Sequence, residues 1–401
     1  MEKTPNSMRR HVAIFGKTNA GKSTIFNALT GQQNAIVSPQ AGTTTDPVQK
    51  AMELIPFGPI VMIDTAGLSD ETALGQSRMQ KTKNIMRRAD FALYIVDATD
   101  YDSAAYEEFC QQKLLHLLVF NKWGLLDEKT AFSLKESYSN SVPFIDETSS
   151  TDALREKLAE ELAKLSSERS TFLGDLLPKG SVVILVMPVD SEAPKGRLIL
   201  PQVQILRDCL DNNMIAACCQ VEELAETIRR FDKVDLVVTD SQAFAAVNQI
   251  TPPTIALTSF SILVARQKGS ISELVYGSST IENLKDGDRI LMLEGCTHNS
   301  THEDIGRVKI PNLLRKKTGK KLDFDYFSGY QFPDSLDNYA LAIQCGGCML
   351  NETEIKSRIR HMNEAGLPVT NYGMCLAILS GAWNRCKNFL EGEWNEHSAN
   401  E

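Results

Sequence analysis

One eight-residue segment, 16–23, limits this chain to a small group of folds. It reads Gly-Lys-Thr-Asn-Ala-Gly-Lys-Ser, which matches the pattern G-x-x-x-x-G-K-[ST] in full. The apolar run 11–15 precedes it, and a helix-like segment, STIFNALTG, follows it. A strand, a glycine-rich turn and a helix in this order bind phosphate, because backbone N–H groups and the helix N-terminus surround the anion. The segment therefore predicts a nucleotide site on an α/β sheet.

The chemistry of this loop assigns roles to its residues. We expect Lys22 to reach the β and γ phosphates of a nucleotide and the Ser23 hydroxyl to ligate Mg²⁺. A chance glycine-rich turn is the alternative, but it leaves the later motifs unexplained. The residues expected to contact the nucleotide here are Gly16, Asn19, Ala20, Gly21, Lys22, Ser23 and Thr24.

Two further segments have the order of the switch regions of GTPases. The tetrapeptide Asp-Thr-Ala-Gly at 64–67 follows the apolar run 61–63, as D-x-x-G does in these proteins. Asp64 would then hold Mg²⁺ through water, and the Gly67 N–H would sense the γ-phosphate. With Lys22, these two residues belong to the predicted catalytic set.

A switch-I threonine is expected in the segment 42–46, Gly-Thr-Thr-Thr-Asp. We predict that Thr44 is the Mg²⁺ ligand and completes the catalytic set. Thr43 and Thr45 are the alternatives.

Asn121 and Lys122 follow the apolar run 117–120, where the guanine-reading motif N-K-x-D belongs. The fourth position is Gly124 instead of aspartate. That carboxylate normally accepts two hydrogen bonds from guanine, and losing such a pair costs a few kcal/mol of discrimination against ATP. Asp127 lies nearby, but no sequence feature shows that it replaces the missing group.

The last guanine-contacting loop is expected after the run Phe144-Ile145, at Ser149 and Ser150. GTP is therefore the predicted nucleotide. Leu68 stands where Ras-like enzymes have a water-orienting glutamine. Asn19 and the 42–44 loop resemble the potassium-dependent GTPases of the TrmE–Era group, which implies that Asn19 holds K⁺ and that K⁺ stimulates a slow hydrolysis.

The rest of the chain divides into three parts. Apolar strands alternate with helical segments up to an amphipathic helix over 152–168, which is typical of a mostly parallel α/β sheet. A second βα series without a phosphate loop begins at Ser181 and predicts a small parallel sheet that packs against a partner or its own copy. From about Arg266 the apolar strands become fewer. We predict an α/β chain with a P-loop GTPase domain at 1–169, a second α/β domain at 170–265 and a metal-binding domain at 266–401. The family resemblance given below implies that the second is a dimerisation domain and the third a [4Fe–4S] cluster domain.

Composition excludes several classes of protein. The 401 residues carry a net charge of −9, which argues against broad nucleic-acid binding. The polar N-terminus does not resemble a secretory signal, and no apolar run reaches the roughly 18 residues that span a bilayer. We therefore expect a cytoplasmic protein without a membrane partner, in which nine cysteines serve metal binding or the core instead of disulfides.

Three cysteines and a histidine have the spacing of metal ligands. Cys296, His298, Cys345 and Cys348 form C-x-H…C-x-x-C, and the Gly-Gly turn allows two thiolates to converge on one metal. Spacing does not distinguish zinc from an iron–sulfur cluster. Six other cysteines have apolar or helical surroundings and are interpreted as small core residues: Cys110, Cys209, Cys218, Cys219, Cys375 and Cys386.

The segments around these cysteines resemble the HydF maturation GTPases of [FeFe]-hydrogenase. They read CTHNSTHEDIGRVKIPNLLRKKTGKKLDF, FPDSLDNYALAIQCGGCM and GLPVTNYG. The resemblance covers the whole chain and implies a homodimer that binds a [4Fe–4S] cluster. It implies a scaffold and carrier that works with the radical-SAM maturases and delivers the diiron subcluster to apo-hydrogenase. By resemblance the cluster ligands are Cys296, Cys345 and Cys348.

The chain departs from this family at Gln344, where histidine often precedes the C-x-x-C pair. The fourth ligand is then water, another residue or the incoming diiron precursor. His298 is the remaining candidate, and a structural role beside the ligands is its alternative. An RNA-directed GTPase of the TrmE–Era type with a zinc module is the alternative function. A radical-SAM enzyme is disfavoured because C-x-x-x-C-x-x-C is missing.

Overall fold

The computed structural model describes residues 4–31, 48–65, 75–165, 171–189, 196, 198–295 and 305–391, without the side chains of 75–81 and 147. The chain divides into two compact units, Met1–Arg169 and Ser170–Glu401. Each unit has its own sheets and its own buried cores.

The first unit contains a six-stranded sheet in the order β2-β3-β1-β4-β5-β6. Its strands are β1 Arg10–Phe15, β2 Val48–Leu54, β3 Gly58–Asp64, β4 Phe91–Asp97, β5 His116–Asn121 and β6 Val142–Phe144. Its helices are α1 Lys22–Thr30, α2 Gly75–Arg88, α3 Ser103–Cys110, α4 Glu128–Ser137 and α5 Glu147–Leu165.

Burial explains the order of these strands. The central strands β1, β3, β4 and β5 are apolar on both faces and almost wholly buried, as parallel strands between two helical layers must be. β2 is polar and largely exposed, and it pairs with β3 in the antiparallel direction at the sheet edge. The predicted mostly parallel α/β sheet is therefore confirmed.

The amphipathic helix predicted at 152–168 is present as α5, which begins five residues earlier. Leu154, Leu158 and Leu162 are buried in the core under the sheet. Their spacing of four residues places them on one face of the helix.

The second unit begins with the predicted small parallel sheet. Its order is β10-β9-β7-β8, and its strands are β7 Val182–Val186, β8 Ile215–Cys219, β9 Leu236–Thr239 and β10 Ala256–Ser259. The accompanying helices are α6 Leu200–Asp211, α7 Leu224–Arg229, α8 Phe244–Ile250, α9 Phe260–Lys268 and α10 Ile271–Ser279.

A further parallel sheet follows, which the sequence patterns did not predict. Its order is β12-β11-β13-β14, with β11 Arg289–Glu294, β12 Asp323–Ser328, β13 Leu341–Gln344 and β14 Val369–Asn371. The remaining helices are α11 Ile310–Thr318, α12 Glu352–Glu364, α13 Tyr372–Leu379 and α14 Trp383–Leu390. Two of these strands have only three or four residues, too few to give a clear periodic signal.

One buried core joins the two sheets of the second unit. Ile184 and Val237 from the first sheet share it with Met292 and Ile343 from the second. The chain's last described helix, α14, returns to the first of these sheets and packs on β10. Within the described ranges, the helices lack the combination of length and apolar character needed to cross a bilayer.

Candidate functional site

The loop between β1 and α1 has the backbone shape of a phosphate-binding loop. Gly21 precedes α1 with a φ of 91°, and a Cβ atom there would lie 2.0 Å from the Asn121 side-chain nitrogen. Only glycine fits both conditions. Asn19 is also left-handed, with a φ of 64°. These turns direct the loop around the N-terminus of α1, where the helix dipole favours an anion.

Lys22 is held inside this loop. Its side chain is buried, and Nζ donates to the carbonyl oxygens of Gly16 at 2.8 Å and Lys17 at 2.7 Å. The ammonium group is therefore fixed among the loop's backbone groups, the position from which it can bind phosphate oxygens. Ala20 is buried behind the loop, whereas Thr24 is exposed in the first turn of α1.

Ser23 and Asp64 lie side by side. Asp64 ends β3, which pairs with β1 in a register that sets Ile14 opposite Asp64. The Ser23 hydroxyl donates to Asp64 Oδ2 at 3.0 Å. A hydroxyl and a carboxylate at this separation are oxygen donors of the kind that Mg²⁺ prefers.

The Asn121-Lys122 segment contacts the phosphate loop from the end of β5. Asn121 is buried, and its Nδ2 donates to the Ala20 carbonyl at 2.9 Å. Lys122 has a φ of 58° and forms an ion pair with Asp97. Burial alone would raise the pKa of Asp97, but the hydrogen bond from Lys122 brings that pKa below its ordinary value. The segment after β5 is thus fixed to the phosphate loop through Asn121.

Gly124 lies in the short 3₁₀ turn Trp123–Leu125 that follows. Among the described residues, a Cβ atom there would meet Ile145 Cγ2 alone, at 3.1 Å. Asp127 does not replace the absent carboxylate in this structure, because its two oxygens cap α4 by accepting from the Thr130 N–H at 3.0 Å and hydroxyl at 2.7 Å.

Ser149 and Ser150 lie in the first turn of α5, beyond the end of β6. The register of β5 and β6 sets Asn121 opposite Phe144, so the segment after Phe144 begins next to Asn121. Ser150 is buried, and its Oγ accepts from the Ile145 N–H at 2.9 Å. The first turn of α5, with its two serines, and the segment after Asn121 therefore lie at the same edge of the sheet.

A second candidate site lies at the carboxyl ends of β11 and β13. These parallel strands end at Glu294 and Gln344, so Gly295 and Cys345 follow at the same edge. Cys345 Sγ accepts the N–H of Gly295 at 2.9 Å and that of Gly347 at 3.4 Å. The carboxyl edge of a parallel sheet is the usual place for a ligand.

The turn between the two cysteines is tightly held. Gly347 has a φ of 66°, and a Cβ atom there would lie 2.5 Å from Ile355 Cδ1. Burial raises the pKa of the Cys345 thiol, the neighbouring Cys348 raises it further, and the two N–H groups lower it. Cys345 and Cys348 are both half-buried.

These residues fit a thiolate-bound metal centre. Hydrogen bonds from backbone N–H groups to cysteine sulfur are typical of such centres. Beside Cys345, the Gln344 side chain is buried, and its Oε1 has no hydrogen-bond partner among the described residues. Taken alone, the described part of the chain offers no group of three His, Cys, Asp or Glu side chains arranged for a metal.

Several predicted residues lie outside the described ranges. They are Thr43, Thr44, Thr45, Gly67, Leu68, Cys296 and His298. The residue before Cys296 in the chain is Gly295, whose N–H contacts Cys345 Sγ.

The interpretation of six cysteines as core residues is only partly right. Cys209, Cys375 and Cys386 are buried, but Cys110 and Cys218 are exposed and Cys219 is half-buried. Cys110 is the last residue of α3, and Cys218 lies in the edge strand β8, two positions where a side chain has fewer neighbours than in the middle of a core.

Sequence reasoning missed Lys268, whose buried side chain contacts the cysteine turn. Its Nζ donates to the carbonyl oxygens of Gly347 at 2.9 Å and Leu350 at 2.8 Å. A lysine at the end of a helix is ordinarily exposed, so the sequence contains no signal for this contact.

Comparison with known proteins assigns all three parts of the chain. Residues 11–122 match the model of the 50S ribosome-binding GTPases. Residues 172–269 match the hydrogen maturase F dimerization domain, and residues 272–388 match the hydrogen maturase F tetramerization domain. The three matches follow one another along the chain, and the second and third are almost contiguous.

Individual relatives match about a third of the chain each. The tRNA modification GTPase MnmE of Dichelobacter nodosus is 40% identical over 131 residues, which cover 30% of this chain and 29% of that protein. GTPase Der of Kosmotoga olearia is 34% identical over 146 residues, 34% of this chain and 32% of that protein. The chain thus spans about a third of the length of these curated relatives.

Among solved structures, Era of Aquifex aeolicus bound to GDP and AlF4⁻ is 19% identical. The match covers 56% of this chain and 98% of that chain, with a TM-score of 0.32.

Proposed function

Because the chain belongs to the hydrogen maturase F family, we propose that it is a maturation GTPase of [FeFe]-hydrogenase. In this proposal it binds a [4Fe–4S] cluster, carries the diiron subcluster as cargo and delivers it to apo-hydrogenase. Its partners are then that apo-enzyme, the radical-SAM maturases that build the cargo, and a second copy of the chain. We place it in the cytoplasm, where thiols remain reduced.

The observation that carries the proposal is that the segment leading to Cys296 lies against Cys345. The Gly295 N–H reaches Cys345 Sγ across the sheet edge, and Gly295 is followed directly in the chain by Cys296. The two halves of the C-x-H…C-x-x-C pattern are 49 residues apart, from Cys296 to Cys345, yet they start from neighbouring strands. This supports Cys296, Cys345 and Cys348 as the ligands, with His298 as a candidate fourth.

A bound cluster supplies an iron atom with an exchangeable coordination position. The chain's own residues provide the thiolates and direct N–H groups at one of them. Gln344 is a neutral amide and a poor iron ligand, so we assign it no coordinating role.

The first unit is proposed to hydrolyse GTP. Its matched domain and the grouping of Lys22, Ser23, Asp64 and Asn121 around one loop support this. Lys22 binds phosphate, and Ser23, Thr44 and Asp64 hold Mg²⁺. Asn19 contributes to a K⁺ site. The switch segments 42–46 and 64–68 then report the nucleotide state to partner proteins.

The proposed domain division is 1–169, 170–265 and 266–401. The two family domains matched at 172–269 and 272–388 support a boundary close to residue 266. The edge strand β8 is the proposed dimer contact, since Ile215 is 51% exposed there. An exposed strand edge can pair with the same edge of a second copy.

Anaerobic reconstitution with iron and sulfide tests the cluster. We expect about four irons per chain, as a [4Fe–4S] centre requires, and an EPR signal after reduction. Cys345→Ser should lose both, whereas Cys110→Ser, which alters an exposed cysteine in the first unit, should keep both. Stoichiometric zinc without iron uptake would overturn the proposal and favour an RNA-directed GTPase with a zinc module.

A further inference from the structure

Lys268 is a charged side chain placed where charge is costly. It is the last residue of α9 and is only 4% exposed. Lysine is almost never fully buried unless it is paired, because an ammonium ion loses its favourable interactions with water when it is buried. The two acceptors of its Nζ are backbone carbonyl oxygens, which carry only partial charge. A nearby negative group would therefore stabilise the buried ammonium group.

Both carbonyl groups belong to the segment that carries the cysteines. Gly347 lies between Cys345 and Cys348, and Leu350 follows two residues after Cys348. Hydrogen bonds of 2.9 and 2.8 Å fix Lys268 to this segment on either side of Cys348. The ammonium group is thus packed against the cysteine turn, the segment from Cys345 to Leu350.

The neighbouring thiols favour the charged form of this lysine. Burial lowers the pKa of Lys268 to about 8, and Cys348, Cys345 and Glu352 oppose that fall in this order. The hydrogen bonds to Gly347 and Leu350 place the ammonium group beside the segment that carries both thiols, where it attracts any anionic group bound there.

The other buried cation close to this turn is already neutralised. Arg358 Nε donates to Glu354 Oε1 at 2.7 Å, and the two side chains are 1% and 4% exposed. Lys268 has no such carboxylate among its hydrogen-bond acceptors. Glu352, the carboxylate that acts on Lys268 from a distance, is itself paired with Lys356. Among the residues that the structure describes, Lys268 is therefore a buried positive charge that remains available to a group bound by the cysteines.

We infer that Lys268 is a positioning residue that supplies the buried positive charge for an anionic, thiolate-bound group at the cysteine turn and raises that group's reduction potential. The inference rests on the proposed cluster function. Reduction adds one negative charge to the bound group, and a fixed cation nearby stabilises the reduced form more than the oxidised form.

The test is a redox titration of the reconstituted full-length chain with dithionite, followed by EPR. Lys268→Met should lower the reduction equilibrium constant at least tenfold, which is about 59 mV for one electron. Lys268→Arg keeps the charge and should restore most of the wild-type potential. Lys317→Met removes an exposed lysine from the same unit and should leave the potential unchanged.

An unchanged reduction potential in a cluster-loaded Lys268→Met protein would overturn the inference. The role of Lys268 would then be limited to its hydrogen bonds with the turn. If Lys268→Met loses the cluster, Lys268→Arg decides: retention of the cluster supports the charge role, and loss from a folded protein contradicts it. Failure of the wild-type chain to take up iron would instead overturn the proposed cluster function, and this inference with it.

Discussion

The amide nitrogen of Gly295 lies 2.9 Å from the Sγ atom of Cys345, across the carboxyl edge of a parallel sheet. This contact connects two segments that are 50 residues apart in the chain. It depends on the pairing of β11 with β13, which sets Leu293 opposite Gln344. A hydrogen bond of this kind favours a cysteine sulfur in its thiolate form, since the N–H group stabilises the negative charge.

Lys22→Ala should separate the two proposed activities. Lys22 Nζ is fixed inside the phosphate loop, so its loss removes a cation from the reacting phosphates, and hydrolysis should fall by about 100-fold or more. Phosphate release measures this, while absorbance near 400 nm should show an intact cluster. Lys17→Ala removes an exposed lysine paired with Asp102 and should change hydrolysis far less. Equal losses in the two variants would contradict the assignment.

Gly124→Asp should strengthen guanine recognition. The new Cβ would lie 3.1 Å from Ile145 Cγ2, so the side chain fits after a small shift of this isoleucine. A carboxylate that accepts two hydrogen bonds should increase the affinity for GTP by about tenfold or more. The affinity for ITP should rise less, because ITP lacks the 2-amino group that donates one of these bonds. Calorimetric titration with GTP and ITP measures this preference. Gly124→Asn, equal in size but uncharged, is the control, and an unchanged GTP/ITP ratio in Gly124→Asp would refute the prediction.

Cys218→Pro should weaken the dimer. Ile215 donates its N–H inward to Ser181, and strand alternation directs the N–H of Cys218 outward from the sheet edge. Proline removes that donor and obstructs pairing with a second β8. Light scattering after gel filtration should show a shift from dimer to monomer, whereas Cys218→Ser should remain dimeric. A dimeric proline variant with normal circular dichroism would place the interface elsewhere.

His11 should make the first unit less stable in acid. Burial holds the pKa of His11 below its ordinary value, although Asp90 opposes this effect. As the pH falls through about 6.5, the unfolded chain binds a proton there that the folded chain does not, so the free energy of unfolding decreases by at most about 1.4 kcal/mol per pH unit. His11→Gln can still donate to the Asn6 carbonyl but does not titrate.

Urea denaturation of both proteins at pH 7.5 and 5.5 checks the histidine prediction. The wild-type protein should lose more stability than His11→Gln between these two values. Equal losses would show that His11 is protonated in the folded state as readily as in the unfolded state.

The fold of the first unit and its candidate nucleotide site could be predicted from the sequence because both depend on local sequence patterns. The phosphate loop, the residues after β3 and β5, and the helix α5 each depend on short-range order: a strand, a turn and a helix in sequence. Parallel strands then bring their carboxyl ends together, so Ser23, Asp64 and Asn121 meet once the order of the strands is known. The spacing of the four cysteine and histidine residues was equally readable.

The tertiary structure alone decided the surroundings of the cysteines. The sheet formed by β11 to β14 has short strands whose partners lie far apart in sequence, and these strands have no periodic pattern that predicts them. Burial of Lys268 and Gln344, and exposure of Cys110 and Cys218, depend on which distant segments cover each side chain. Residue type and spacing specify which chemistry a chain can perform, but the charge, hydrogen bonds and solvent around each group come from neighbours that only the folded chain supplies.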